Sequence, residues 1–433
     1  VNQPWKTSPT YCSMPHHNLA IKSYRNGKLH EAWPCCMMGN PDDEGWGNRS
    51  SRLDIPNVND LTPQEIFDHP RMQLLRDNLD NGIRDPACKT CWRLEDNGVK
   101  SYRQNQNDPY HSGILQEVQQ GILSTTLTAI DITTSNECNL ACRMCYPGNS
   151  NLWFKDVKTL KDADIGVEQI EDTLTIGLEF ENIKDRYIHE DSVQWQWLMN
   201  NTDKIKVIEC SGGEPLYDTK FIKLLKKYVS DGTAGRTILN LHTNATQFNN
   251  PKMIDTLKEF KLQWHAFSID GVGKVWEYIR YPGKWKDLTD SLDAYFSMKN
   301  IYIPRMTTVL TALNIFDINN LHEFNDKLHY RYGQVAHPHR EVPAGQLNFQ
   351  EVYPTDKGTA LKHLPKYLLE EALLQTRITD QAKGLIQMGI NNNEENRQKV
   401  LAEIEMLDFT RNQNYRDYLD KRLVSWLANE RGS

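Results

Sequence analysis

A chain of 433 residues that is 39% apolar and 25% charged can form two or three domains, at roughly 150 residues each, and it has no run of about 18 apolar residues to cross a bilayer. Its net charge of −7 and pI near 6.0 supply no overall basic field, which argues against nucleic acid as a partner. The opening VNQPWKTSPTYCSMPHHN lacks a basic patch followed by an apolar stretch, so no secretory signal is read and a cytoplasmic location without membrane contact is expected.

The texture changes twice. Residues 1–118 are rich in Asn, Asp, Pro and Cys and read as irregular, with one helical stretch near 63–81 closed by Gly82. From 119 to 350, short apolar strands (LTAIDIT, KIKVIEC, RTILNLHT, LQWHAFSID, MTTVLTALN) alternate with helical segments (DTKFIKLLKKYVSDG, PKMIDTLKEF), the pattern of a parallel sheet with crossover helices. In the first of these helices Phe221, Leu224, Leu225, Tyr228 and Val229 share one face. Residues 351–433 (LKHLPKYLLEEALLQ, ENRQKVLAEIEML, YRDYLDKRLVSWLANE) read as helical, contain no cysteine, and suggest a cap or interaction element remote from the chemistry.

Eight of the nine cysteines fall in two groups, 12/35/36/88/91 and 138/142/145. A chain this large needs no disulfide staples, so clustered thiols read as metal ligands. Cys138, Cys142 and Cys145 follow the strand LTAIDIT in the segment ECNLACRMCYPG. Three thiolates on a 4Fe-4S cubane leave one iron open to a small molecule; a zinc site completed by a remote fourth ligand is the alternative. The strand KIKVIEC runs into SGGEP, where Gly212 and Gly213 allow close backbone approach and Glu214 offers an acceptor to a cationic amino group.

The CxxxCxxC segment and the Gly-Gly-Glu-Pro turn resemble the radical S-adenosylmethionine superfamily. The resemblance implies a partial (β/α)6 barrel whose open iron binds S-adenosylmethionine and cleaves it reductively to a 5'-deoxyadenosyl radical. It places Met144, where the superfamily usually has an aromatic residue, near adenine, and assigns Gly212, Gly213, Glu214 and Asn244 to the cofactor. In LQWHAFSIDG and EYIRYPG, Ser268 and Arg280 have the spacing of residues that contact the cofactor's ribose and carboxylate in related proteins with additional clusters. An electron donor such as flavodoxin or ferredoxin is implied as a partner.

Strand alternation orients the interior. Asn240, His242 and Asn244 share a face opposite Leu239 and Leu241, so the polar set points into the barrel, with His242 and Asn244 as catalytic candidates. The same logic puts Trp264, Ala266 and Ser268 inside, His265 outside as a structural residue, and Asp131 and Thr133 inward. Cys210, alone before the Gly-Gly turn, reads as a small buried hydrophobe.

Cys12, Cys35 or Cys36 after a turn at Asn26-Gly27, and Cys88 with Cys91 supply four thiolates that suit zinc or a second 4Fe-4S cluster equally on spacing. Cys35 is preferred to Cys36 for its shorter distance from the turn. The segments YCSMPHHN, NGKLHEAWPCC and CKTCWRLEDNGVKSYRQ resemble the auxiliary-cluster modules called SPASM and twitch domains, here placed before the barrel. The resemblance implies an auxiliary 4Fe-4S cluster and a peptide or protein side chain as substrate; a small metabolite or nucleotide-linked molecule is the alternative, and a non-catalytic metal-bound scaffold is the alternative of another class.

Overall fold

In a computed structural model, the residues described are 8–25, 28–38, 53, 55–96, 98, 100–107, 124–165, 187–302, 304–336, 347–351 and 357–429. Their nine strands are β1 (Asn18–Arg25), β2 (Lys28–Trp33), β3 (Ala129–Ile132), β4 (Val207–Cys210), β5 (Ile238–Thr243), β6 (Leu262–Gln263), β7 (Ala266–Ser268), β8 (Arg305–Leu310) and β9 (Leu347–Glu351). They form one sheet in the order β2-β1-β3-β4-β5-β7-β8-β9, with β6 on β5. All pairings are parallel except the β1/β2 hairpin. Helices occupy the crossovers, for example Thr219–Ser230 between β4 and β5 and Pro251–Lys258 after β5. This is the alternating plan of a partial (β/α) barrel.

The period of two along each strand sorts the side chains. Ile130, Ile132, Ile208, Cys210, Leu239 and Leu241 are buried in the main core, with Phe221, Leu224, Leu225 and Tyr228 of the β4–β5 helix in the same cluster. That helix starts where Asp218 accepts from Lys220 N and Phe221 N. On the other face lie Asp131, Glu209 and Asn240, held in one row by the pairings Asp131↔Glu209 and Glu209↔Asn240.

Three local expectations are corrected. The amino-terminal region is not irregular: β1 lies parallel to β3 from Asn18↔Ala129 to Ile21↔Ile132, because Leu19 and Ile21 continue the buried apolar face of the sheet. The turn expected at Asn26-Gly27 lies outside the described residues, as does the boundary at 118. The helix expected over 63–81 is two, Pro63–Phe67 and Pro70–Asp80, because Pro70 has no amide to continue the first and starts the second, with His69 as its cap. The strand LQWHAFSID is interrupted between β6 and β7, where Leu241 N donates to the Nδ1 of His265 at 3.2 Å in place of a backbone carbonyl. His265 is buried against Phe248 on the outer face. Among the described residues no helix is long and apolar enough to cross a membrane.

The carboxy-terminal helices Lys366–Ala372, Asp380–Asn391, Arg397–Arg411 and Lys421–Leu427 grip the loop after β3. Arg143 is 1% exposed, donates to Asp408 Oδ1 at 2.5 Å, to Gln413 Oε1 at 2.9 Å and to Tyr278 O at 3.0 Å, and stacks 3.6 Å from the Tyr278 ring. Tyr278 Oη also donates to Asp408. Removing one partner of such a pair leaves a buried charge uncompensated. Asp408→Ala should therefore cost about 3–5 kcal/mol in urea unfolding, whereas Glu371→Ala, removing the more exposed partner of Arg422, should cost about 1 kcal/mol or less; equal losses would show that the Arg143 network does not hold the tail.

Candidate active site

The loop carrying Cys138, Cys142 and Cys145 leaves β3 at the carboxyl end of the sheet, where parallel α/β folds place their ligands. Its backbone is pinned on every side. Ala141 N donates to Tyr281 O at 2.6 Å and Arg143 N to Ile279 O at 2.8 Å. Cys138 N donates to Asn151 Oδ1 at 3.2 Å, Ser150 Oγ to Leu140 O at 2.5 Å, and Trp153 Nε1 to Cys142 O at 3.1 Å. Such pinning holds three side chains in place without using their sulfurs.

The Gly-Gly turn closes on this loop. Ser211 N donates to Ile132 O, Gly213 N to Ser135 O and Glu214 N to Glu137 O, the last at 2.8 Å. A Cβ on Gly213 would stand 2.2 Å from Glu137 O, and Gly212 adopts φ +129° with Thr133 Cγ2 2.6 Å from its would-be Cβ. Both glycines are thus required by close approach, and Gly212 also by its backbone conformation. Glu214 is buried and accepts from Thr243 Oγ1 at 2.7 Å, Asn244 N at 2.7 Å and Leu216 N at 3.1 Å. Its carboxylate clamps the turn to the end of β5, so most of its acceptor capacity is spent within the fold. Asn244 in turn donates to Asn139 Oδ1 at 2.8 Å, tying β5 back to the cysteine loop.

Arg280 donates through Nε to Asp270 Oδ2 at 2.7 Å and through Nη1 to Cys142 Sγ at 3.6 Å. It is buried, and despite the burial Asp270 and the cysteines hold its proton more tightly than in free arginine. Burial pushes all three thiols up, Cys145 to about 12, and proximity to Cys142 adds to the rise for Cys138 and Cys145. The opposing pull comes from cations: Arg280 and Arg411 on Cys142, Lys357 and Arg280 on Cys145. Among the described residues no three His, Cys, Asp or Glu side chains converge tightly enough to grip a single ion. The donor set is three thiols with no imidazole or carboxylate among them, which suits an iron–sulfur cubane with one open iron.

The sequence profile of the Radical SAM superfamily matches residues 132–326, the span from the end of β3 through the cysteine loop to the helix after β8. Residues 132–326 thus match the radical SAM superfamily. Members are enzymes whose cofactors are a 4Fe-4S cluster and S-adenosylmethionine. The chain is 28% identical over 187 residues to the uncharacterised protein MJ0907 of Methanocaldococcus jannaschii, covering 42% of this chain and 53% of that one. It thus spans about half the length of this curated relative. Among solved structures it resembles anSMEcpe with bound AdoMet (16% identity, 59% of this chain and 61% of that one, TM-score 0.34) and Streptococcus suis SuiB bound to S-adenosylmethionine (13% identity, 70% and 59%, TM-score 0.30).

Within the radical SAM domain, Cys138, Cys142, Cys145, Gly212, Gly213, Glu214, Asn244 and Arg280 form one connected network. Met144 is half-buried beside it and packs on the core. Ser268 ends β7 half-buried, opposite Thr307 of β8. His242 lies on the inner face, its Nε2 3.4 Å from Glu209 Oε1.

Sequence reasoning missed two cations. Lys357, 1% exposed, donates to Arg143 O at 2.6 Å and Cys145 O at 3.0 Å, and burial lowers its proton affinity. Arg411 pairs with Asp156 Oδ2 at 2.7 Å and lies 5.0 Å from the Trp153 and Tyr281 rings. Both come from the tail that was expected to stand apart from the chemistry. No local motif marks them; a lysine in DKGTA and an arginine ending a helix look like surface charges until the fold buries them.

The amino-terminal thiols gather at the other end of the sheet. Cys12, Cys35 and Cys91 are buried and Cys88 is half-buried. After burial itself, mutual proximity raises three of them, Cys12 through Cys91, Cys35 through Cys12 and Cys91, and Cys88 through all three. Cys88 N donates to Asp85 O at 3.0 Å, and Asp85, paired with Arg71 at 3.0 Å, caps the turn that carries it. Cys36 is exposed and feels Glu209, Asp131 and Lys22. Of the consecutive pair, Cys35 is thus buried and Cys36 exposed.

Two outcomes follow. Gly213→Ala should prevent docking of the turn on Glu137 O and cut reconstituted iron at the cysteine loop, while Gly384→Ala, whose Cβ meets nothing within 4 Å, should leave iron unchanged; full iron loading of the first variant would refute the close-approach argument. Burial also pushes the Glu214 carboxyl up to about 7 against the pull of its three donors. A carboxyl that binds its proton more tightly folded than unfolded stabilises the fold less as pH rises, so apoprotein stability should fall between about pH 4.5 and 7 through this group. Glu214→Gln should flatten that part of a urea-midpoint profile; parallel profiles would show that Glu214 ionises as in water.

Proposed function

We propose that this protein is a two-cluster radical SAM enzyme acting on a peptide or protein side chain. Bound at Cys138, Cys142 and Cys145, the cluster would supply the electron that cleaves S-adenosylmethionine, and the organic radical so released would abstract hydrogen from the substrate. The observation that carries the reading is the three-thiol loop zipped backbone to backbone onto the Gly212-Gly213 turn, with Arg280 donating to Cys142. Arg280, Lys357 and Arg411 offset the negative charge of three ligating thiolates. Arg280 and Ser268 are assigned to the cofactor's carboxylate and ribose, and Met144 to packing near adenine. Backbone groups of Gly212 and Gly213 take the cofactor's amino end, since Glu214 is committed to Thr243, Asn244 and Leu216.

Cys12, Cys35, Cys88 and Cys91 are assigned to an auxiliary 4Fe-4S cluster. Four protein ligands would leave no iron open there, so its work is electron transfer or structural support. A reducing compartment suits such thiol-rich sites, so we place the protein in the cytoplasm, with a flavodoxin or ferredoxin as electron donor.

After anaerobic reconstitution about eight irons per chain are expected, falling to about four both in the Cys138/Cys142/Cys145 triple Ala variant and in a Cys88/Cys91 double variant. The triple variant should form no 5'-deoxyadenosine under dithionite; continued cleavage would overturn the radical assignment. Four irons and one zinc in the wild type would turn the amino-terminal site into a zinc module and leave the radical assignment intact. Arg280→Ala should weaken S-adenosylmethionine binding by roughly ten- to a hundred-fold, and unchanged affinity would remove it from the cofactor site.

A further inference from the structure

We propose that the inner face of the sheet carries the substrate-binding site, built from Lys22, Asp131, Glu209, His242 and Arg305, and that it accepts a group bearing paired opposite charges. The inference rests on the radical reading only in taking the barrel interior as the place of reaction.

The interior is layered. At the amino end of the strands, Ala129, Val207 and Ile238 pack with Tyr11, Leu262 and Trp264 into an apolar floor. Two residues further along each strand the register brings Asp131, Glu209 and Asn240 into one row, and the pairings His242↔Ala266 and Ala266↔Arg305 carry the polar face to β8. Lys22 closes the row from β1. Its Nζ lies 2.5 Å from Asp131 Oδ1 and donates to Ser211 Oγ at 2.9 Å. Arg305 Nη2 donates to Asn240 Oδ1 at 2.9 Å, its guanidinium lies 4.8 Å from the Trp264 ring, and its Nε is buried without a hydrogen-bond partner.

A barrel interior that only supports the fold is filled by apolar layers. This one is charged and open: the Lys22 and Glu209 side chains keep 20% of their surface and His242 keeps 43%, although all three stand on the inner face. Its charges balance. Two carboxylates face Lys22 and Arg305, with the His242 ring beside Glu209. A ligand with a single charge would take one member of a pair and strand the other in a partly dry interior, and an apolar ligand would desolvate every charge without replacing any. A ligand carrying an anion and a cation can exchange with both partners, the anion on Lys22 and Arg305, the cation on Asp131 and Glu209.

The position is central as well. The loop with Cys138 leaves the carboxyl end of β3, whereas Cys12 precedes β1, and Cys35 follows β2, which returns antiparallel so that Asn18 Nδ2 donates to Pro34 O at the amino end. The charged row thus lies between the two thiol groups, and the exposed Cys36 faces it.

A paired charge could belong to a free amino-acid zwitterion or to neighbouring side chains of a peptide. Calorimetry on the reconstituted protein would use two probe sets at millimolar concentration: free leucine against its N-acetyl, amide and doubly capped forms, and capped lysyl-aspartyl dipeptide against capped lysyl-alanyl, alanyl-aspartyl and alanyl-alanyl dipeptides. In at least one set the doubly charged member should bind roughly tenfold or more tighter than the others. Lys22→Met and Glu209→Gln should each abolish that preference, and Lys22→Arg should retain it, with iron content measured on the same samples to register misfolding. Preference in the first set identifies a small zwitterion, and in the second a peptide. Equal binding of neutral or singly charged probes, no binding in either set, or a preference that survives in both charge-removing variants would overturn the inference. Formation of 5'-deoxyadenosine without probe is measured separately, so absence of the preference in a wild-type protein that still cleaves the cofactor sinks this inference alone, and the preference without cleavage sinks the radical reading alone.

Discussion

The site depends on one close approach, the backbone of Gly213 against the carbonyl of Glu137, where a Cβ would stand 2.2 Å away. It lets the turn after β4 hydrogen-bond edge to edge with the loop after β3. Glu214 extends the contact to β5 through Thr243 and Asn244, and Asn244 returns it to Asn139 on the cysteine loop. Three strand ends are thereby locked together before any ligand is considered. A cubane needs its ligands held against the repulsion of three thiolates, and this closed circuit of hydrogen bonds provides a rigid mount.

Charge is managed by a second layer drawn from distant parts of the chain. Arg280 comes from the segment after β7, whereas Lys357 and Arg411 come from the tail, and each lies near enough to a cysteine to favour its thiolate. Buried cations need their own partners. Arg280 has Asp270, Arg411 has Asp156, and Lys357 has the carbonyls of Arg143 and Cys145 with Glu403 4.0 Å away. The tail is therefore part of the electrostatics of the site, and the Arg143–Asp408 pair that holds it in place also holds these charges at their posts.

The amino-terminal region is joined to the barrel by strand pairing, with β1 as a parallel neighbour of β3. Because β2 runs back antiparallel, Cys12 and Cys35 come to the same end of the sheet, and Cys88 and Cys91 join them from the capped turn at Asp85. The consecutive residues Cys35 and Cys36 then part company, one buried toward the thiol group and the other facing Lys22, Asp131 and Glu209. Neighbouring residues thus contribute to the thiol group on one side and to the charged row on the other.

Much was legible in the sequence because it is local. The spacing of Cys138, Cys142 and Cys145, the Gly-Gly turn, the helical face of Phe221, Leu224, Leu225 and Tyr228, and the period of two that sets Asn240 and His242 against Leu239 and Leu241 all follow from covalent neighbourhood and backbone geometry. What the local pattern cannot carry is pairing between distant segments. That β1 docks on β3, that Glu214 is consumed by β5, that Lys357 and Arg411 reach the cysteine loop, and that Lys22 and Arg305 close a charged row from opposite sides of the sheet were decided by tertiary structure alone. The physical reason is that a lone lysine or arginine has the same local signature on a solvated surface as in a buried ion pair, and only the packing around it fixes which it becomes.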